Sequence, residues 1–101
     1  MDDAINRLHD ATLLSIELRW ADRTCELSFA GAPTIAGPFS LLFEHVAELH
    51  APAAMPWGQS QSVLEASFSA GVATFAMQSG DTVTLVSPNY SFKRTPLRGA
   101  A

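Results

Sequence analysis

Residues 56–61, Pro56-Trp57-Gly58-Gln59-Ser60-Gln61, set a large aromatic between two backbone-specialised residues and follow it with three hydrogen-bonding side chains. Proline stiffens such a loop and glycine frees it, so the indole cannot hide along a strand. A Trp held this way can stack on a ligand ring while Gln59, Ser60 and Gln61 bond its polar edges. It can equally fold back as a plug over the open end of a core. The deep average burial of Trp favours the plug. Glu65, a little further on, is a carboxylate that faces either a cavity or solvent.

The other reactive side chains carry weaker signals. His45 and His50 flank Glu44 and Glu48, a ligand set that suits a divalent metal. Residues five apart face opposite sides of a strand and point well apart on a helix, so neither geometry gathers both imidazoles. No metal and no cofactor is expected. His9-Asp10 and Ser60 contain the residue types of a nucleophilic triad, but nothing like G-x-S-x-G surrounds Ser60. Asp10 and Asp81 read as turn residues that bond backbone amides. Cys25 is the only cysteine, so no internal disulfide and no thiolate metal cluster can form. It alternates with Leu27 and Phe29 and reads as a small core residue. No catalytic residue is assigned.

These residues need elements to hold them. Ile5 and Leu8 have helical spacing behind Asp2 and Asp3, good capping residues, which predicts one short N-terminal helix. From Thr12 the period becomes two: Leu14, Ile16, Leu18 and Trp20 alternate with Ser15, Glu17 and Arg19. Cys25, Leu27 and Phe29 repeat the pattern after a polar link, so the pair reads as a hairpin. Two Gly and two Pro within 31–38 make a loop. The stretch 39–50 is ambiguous. Leu41 and Phe43 alternate, whereas Phe43, Val46 and Leu49 step by three. A strand with a bulge near 44–46 explains the slip better than a helix, because the flanking segments are β-like and Pro52 follows. After the long loop 51–60, three alternating runs joined by Ser69-Ala70-Gly71 and Ser79-Gly80-Asp81 predict a meander.

Composition limits the classes. The chain has 101 residues, enough for one domain with a modest core. Apolar residues make up 48% and charged residues 16%, which argues against disorder and suggests that a partner covers some apolar surface. Up to Tyr90 ten acids face three bases, a balance of about −7, whereas 91–101 carries three bases and no acid. An acidic body argues against non-specific nucleic-acid binding. The first residues are acidic and polar, unlike a secretory signal, and no apolar run approaches the ~20 residues of a membrane span. Together with the lone cysteine this predicts a cytoplasmic protein with no membrane partner.

Leu8-His9-Asp10-Ala11, the strand ending at Trp20, Pro56-Trp57-Gly58-x-Ser60 and Met77-Gln78-Ser79-Gly80-Asp81 together resemble a group of small uncharacterised bacterial proteins. That group shares an LHDA start, a PWG-x-S loop and an MQSGD turn, and carries no established activity. The ending Ser91-Phe92-Lys93-Arg94-Thr95-Pro96-Leu97-Arg98-Gly99-Ala100-Ala101 resembles tails of proteins encoded by mobile integron gene cassettes. That resemblance implies that the basic tail reflects a recombination site at the DNA level.

The expected fold is mostly β, with about six mainly antiparallel strands in a small sandwich or part-barrel. Residues 1–94 form the domain and 95–101 a flexible basic tail. Leu14, Ile16, Leu18, Leu27, Phe29, Phe68, Phe75, Met77 and Leu85 are the expected core. One-sided apolar strands need a cover, and a homodimer supplies one. Three functions stay open. The leading one is a small, acidic binding or interaction module encoded as an accessory by a mobile integron gene cassette. The second is a small-ligand binder whose site is Trp57, Gln59, Ser60, Gln61 and Glu65. The third is an enzyme with a carboxylate site around Glu65.

Overall fold

A computed structural model describes residues 4–95. The expected caps Asp2 and Asp3 and nearly all of the tail lie outside them. A 3-10 turn, Ala4–Arg7, stands where a short helix is predicted. Eight strands follow: β1 Thr12–Arg19, β2 Thr24–Gly31, β3 Phe39–Glu44, β4 Glu48–His50, β5 Val63–Ser69, β6 Val72–Met77, β7 Thr82–Val86 and β8 Asn89–Arg94. They form two four-stranded sheets, ordered β1-β2-β3-β8 and β4-β7-β6-β5, and neighbours are antiparallel throughout. The fold is mostly β, as predicted. Among the described residues no helix is long and apolar enough to cross a membrane.

The stretch 39–50 is neither a bulged strand nor a helix. It is two strands in different sheets. His45 takes a left-handed φ of 55° and ends β3. Val46 N–H then donates to the Arg23 carbonyl in the turn between β1 and β2, and Ala47 N–H to the Val86 carbonyl of the second sheet. The three-residue spacing of Phe43, Val46 and Leu49 is therefore the signature of a corner between layers. The other added strand, β8, pairs with β3 and completes the first sheet.

The core lies between the sheets. Leu27, Phe29, Phe75, Met77 and Leu85 are buried as expected, joined by Leu8, Ile35, Phe39, Leu41, Phe43, Val63 and Val83. Phe29 stacks on Phe39 with ring centroids 4.9 Å apart. Phe43 reaches Phe68, Phe75 and Tyr90, which ties β3 to β5, β6 and β8. Cys25 is buried, and burial pushes its thiol pKa up to about 11, so it stays protonated and inert.

Bulges move the predicted phase. The β1–β2 register slips between Thr12 and Leu13 and again between Leu13 and Ser15. Leu13 lies opposite Phe29, and Leu14 is left 55% exposed. In β5 the slip falls between Val63 and Glu65, so Val63 is buried and Leu64 is exposed. An extra residue reverses every later side chain in a period-two strand. Leu14 therefore does not belong to the expected core, and Leu18, 37% exposed, lies at its open border. Ile16 and Phe68 are half-buried against it.

Candidate functional site

The two sheets close against each other unevenly. At one side Phe68 of β5 packs edge-on to Tyr90 of β8, with centroids 5.2 Å apart. At the start of β1, Leu13 N–H donates to the Gln61 carbonyl and Val63 N–H to the Ala11 carbonyl, which joins β1 to the approach of β5. Along the rest of β1 the sandwich is open. There the edge of the first sheet faces β4 and the chain at 51–55, and two cavities lie in the gap.

The first cavity, about 420 Å³, is lined by Leu13, Leu14 and Ile16 on one wall, by Pro52 and Met55 on the other, and by Met77 and Val83 among others. The second, about 550 Å³, lies between Leu18, Trp20 and Arg23 and the opposing Val46, Ala47, Glu48 and Leu49. Six large hydrophobics are exposed among the described residues, and Leu14, Leu18, Trp20 and Met55 line this seam. The apolar side chains that β1 presents toward the second sheet thus run past its cover.

The structure divides the candidate ligand residues. Ser60 and Gln61 line the first cavity. Trp57 and Gln59 lie outside it and are exposed, and Glu65 stands exposed on β5. Trp57 is not a plug. It is 74% exposed, at the third position of a turn closed by Gly58 N–H donating to the Met55 carbonyl. Its indole lies against the backbone of Gly80, where an added Cβ would come within 2.8 Å of the ring.

The three motifs that carried the family resemblance converge here. The Asp81 carboxylate accepts the N–H groups of Ala54 and Met55, both at 2.9 Å, and the Ser79 hydroxyl at 2.7 Å. Trp57 N–H donates to the Ser79 carbonyl. Gln78 donates its side-chain amide to Asp10 at 2.7 Å, and its backbone N–H to the Ser62 carbonyl. His9 Nδ1 donates to the Leu64 carbonyl at 2.6 Å, since a carbonyl can only accept. The motifs form one clasp that holds the loop 51–60 against the end of the sandwich. Asp81 bonds amides 26 and 27 residues away and not those of its own turn, which sequence reading did not place.

The clasp is structural in its chemistry. The Ser60 hydroxyl accepts the Ser62 N–H, and no hydrogen bond joins it to His9 among the described residues. Glu44 and His45 lie at the corner between sheets and Glu48 and His50 on β4. Among the described residues no three His, Cys, Asp or Glu side chains gather with metal-binding geometry. No protein-family model, curated protein or solved structure matches the chain.

The clasp has an expected acid response. The Ser79 hydroxyl, with the Met55 and Ala54 amides, holds the Asp81 carboxyl below its ordinary pKa against the opposing effect of burial. The ionised form is the one bound. Its contribution is full above the ordinary aspartate value of about 4 and is lost as pH falls through the lowered native value. Wild-type Tm is expected to drop in that acid range, and Asp81→Asn to show a lower Tm at neutral pH with a flatter acid slope. Parallel pH profiles for the two proteins would remove Asp81 from this role.

Proposed function

We propose that the chain is a non-catalytic interaction module that works as a homodimer and binds through the open seam along β1. One observation carries this reading: four of the six large exposed hydrophobics among the described residues line the two cavities that lie along β1. A contiguous apolar patch on a small domain marks a place where something docks. The faces of the two sheets cover each other within one chain, so what remains for a partner is an edge and its groove. The buried, unpaired Cys25 suits a reducing cytoplasm. The tail's resemblance to cassette-encoded proteins suits an accessory product of a mobile element.

A small-ligand binder is the second reading, favoured by Ser60 and Gln61 at the mouth of the first cavity. Its volume of about 420 Å³ falls within the usual range for ligand pockets. Glu65 lies outside that cavity.

The test is an amide NMR titration of the wild-type protein with the apolar dye bis-ANS. Shifts are expected at 14–20 and 46–55, and Leu14→Gln with Trp20→Gln should abolish them. That double variant should keep its stability within about 0.5 kcal/mol per site, since both side chains are exposed. Shifts confined to the outer sheet faces, or to Gln59 and Trp57 alone, in a sample that sediments as a monomer, would overturn the seam as the binding surface.

A further inference from the structure

We infer that a second copy of this chain docks on β1 by antiparallel edge pairing, centred on Leu18 so that each Glu17 lies opposite the partner's Arg19. This rests on reading the seam as the binding surface and gives it an occupant and a register.

The backbone makes β1 the edge available for pairing. It ends its sheet, and only its start is engaged on the far side, through the bridge from Thr12 to Ser62. Residues 15–19 are paired to β2 alone. The other edges are blunted in ways that discourage pairing. Strand β4 has three residues, β8 ends in Lys93 and Arg94, and the carbonyls of Val63 and Leu64 at the start of β5 already accept Asp10 N–H and His9 Nδ1.

The side chains select the register. A two-fold axis perpendicular to a sheet keeps each face on its own side, so odd residues of β1 meet odd ones and even meet even. Centring on Glu17 would put Glu17 against its own copy. Centring on Arg19 would put two guanidinium groups together. Centring on Ile16 would leave both charges facing uncharged side chains. Centring on Leu18 sets Glu17 against the partner's Arg19 and Arg19 against the partner's Glu17. It also sets Leu18 against Leu18 of the partner subunit, and Ile16 against the partner's Trp20.

Two observations fit that register. Glu17 lies directly across from Glu26 of β2, and like charges so placed repel. Its neighbour Arg19 already reaches it at 3.2 Å within the chain, so a second guanidinium would complete an alternating row of two acids and two bases. On the opposite face, Trp20 is 83% exposed in the single chain. In the pair it would cover Ile16 at the wall of the partner's first cavity, which also holds Leu14 and Met55.

The test is sedimentation equilibrium of the full chain with charge-reversal variants. Wild type is expected to be a dimer at micromolar concentration. Glu17→Arg alone and Arg19→Glu alone should each weaken it by about tenfold or more, because each sets like charges across the edge. The double variant should restore the dimer. Mixing the two single variants should also restore it, and only an interchain pair can be repaired by mixing. Circular dichroism melts show that each variant is folded. A monomeric wild type, or single variants that dimerise normally, would overturn the inference. If the wild type is monomeric and bis-ANS still shifts the seam amides, the pairing fails while the seam survives as a binding surface.

Discussion

Phe43→Ala is expected to cost about 3–5 kcal/mol, the range for removing a buried ring from a core that collapses only partly. Phe43 is fully buried on β3 and its ring contacts Phe68, Phe75 and Tyr90, so both sheets lose packing at once. The ring centroids stand 6.5, 6.4 and 5.4 Å away, and one contact is edge-on. Such geometry adds to plain area burial. Against a total stability of about 5–15 kcal/mol for a domain of this size, the variant should be marginal at 37 °C. Leu14→Ala is the matched control. Leu14 is more than half exposed beside a bulge, so its loss should stay within about 0.5 kcal/mol. Urea unfolding at neutral pH measures both. A near-wild-type midpoint for Phe43→Ala would show that the sheets do not pack through this cluster.

The same contrast shows where the sequence could be read and where it could not. Alternation located β2, β6 and β7 and their buried faces, because the pairs β2–β3 and β6–β7 run without a register slip. It located β1 and β5 but erred at their starts, since a bulge inserts one residue and leaves no composition of its own. Leu14 and Leu18 read as core because an apolar stripe announces which face points inward. It does not announce how far the opposite sheet extends to cover it. The corner at His45 was hidden for a similar reason. A left-handed non-glycine residue is held there by backbone bonds to Arg23 and Val86, residues far away in the chain. The clasp was half visible. Each of its motifs stood out, and Asp81 read as an amide acceptor, but the amides it binds belong to another loop. The sequence places Trp57 on the loop but not its exposure, because average burial says little about a residue between Pro56 and Gly58 whose ring rests on Gly80.

That contact carries the second large effect. Gly80→Ala is expected to cost about 1–3 kcal/mol, the usual range for a residue forced into a sparsely populated backbone region. Gly80 has φ 96°, which an L side chain resists, and its Cβ would lie 2.8 Å from both Pro56 Cγ and Trp57 Cδ2. Real carbons do not approach so closely, so the loop or the indole must move. Trp57→Ala alone should cost less than about 1 kcal/mol, because an exposed ring has little burial to lose. The two changes share a contact and should not add. With the indole gone, alanine at 80 meets only Pro56 and its own backbone strain, so its cost should fall without vanishing. Thermal melts of wild type, both single variants and the double variant give the coupling. Trp57 fluorescence, read in a Trp20→Phe background, should become more accessible to quencher in Gly80→Ala as the ring is displaced. A neutral Gly80→Ala would remove the packing of Trp57 on the turn. A Trp57→Ala penalty as large as that of Phe43→Ala would return Trp57 to the core as a plug.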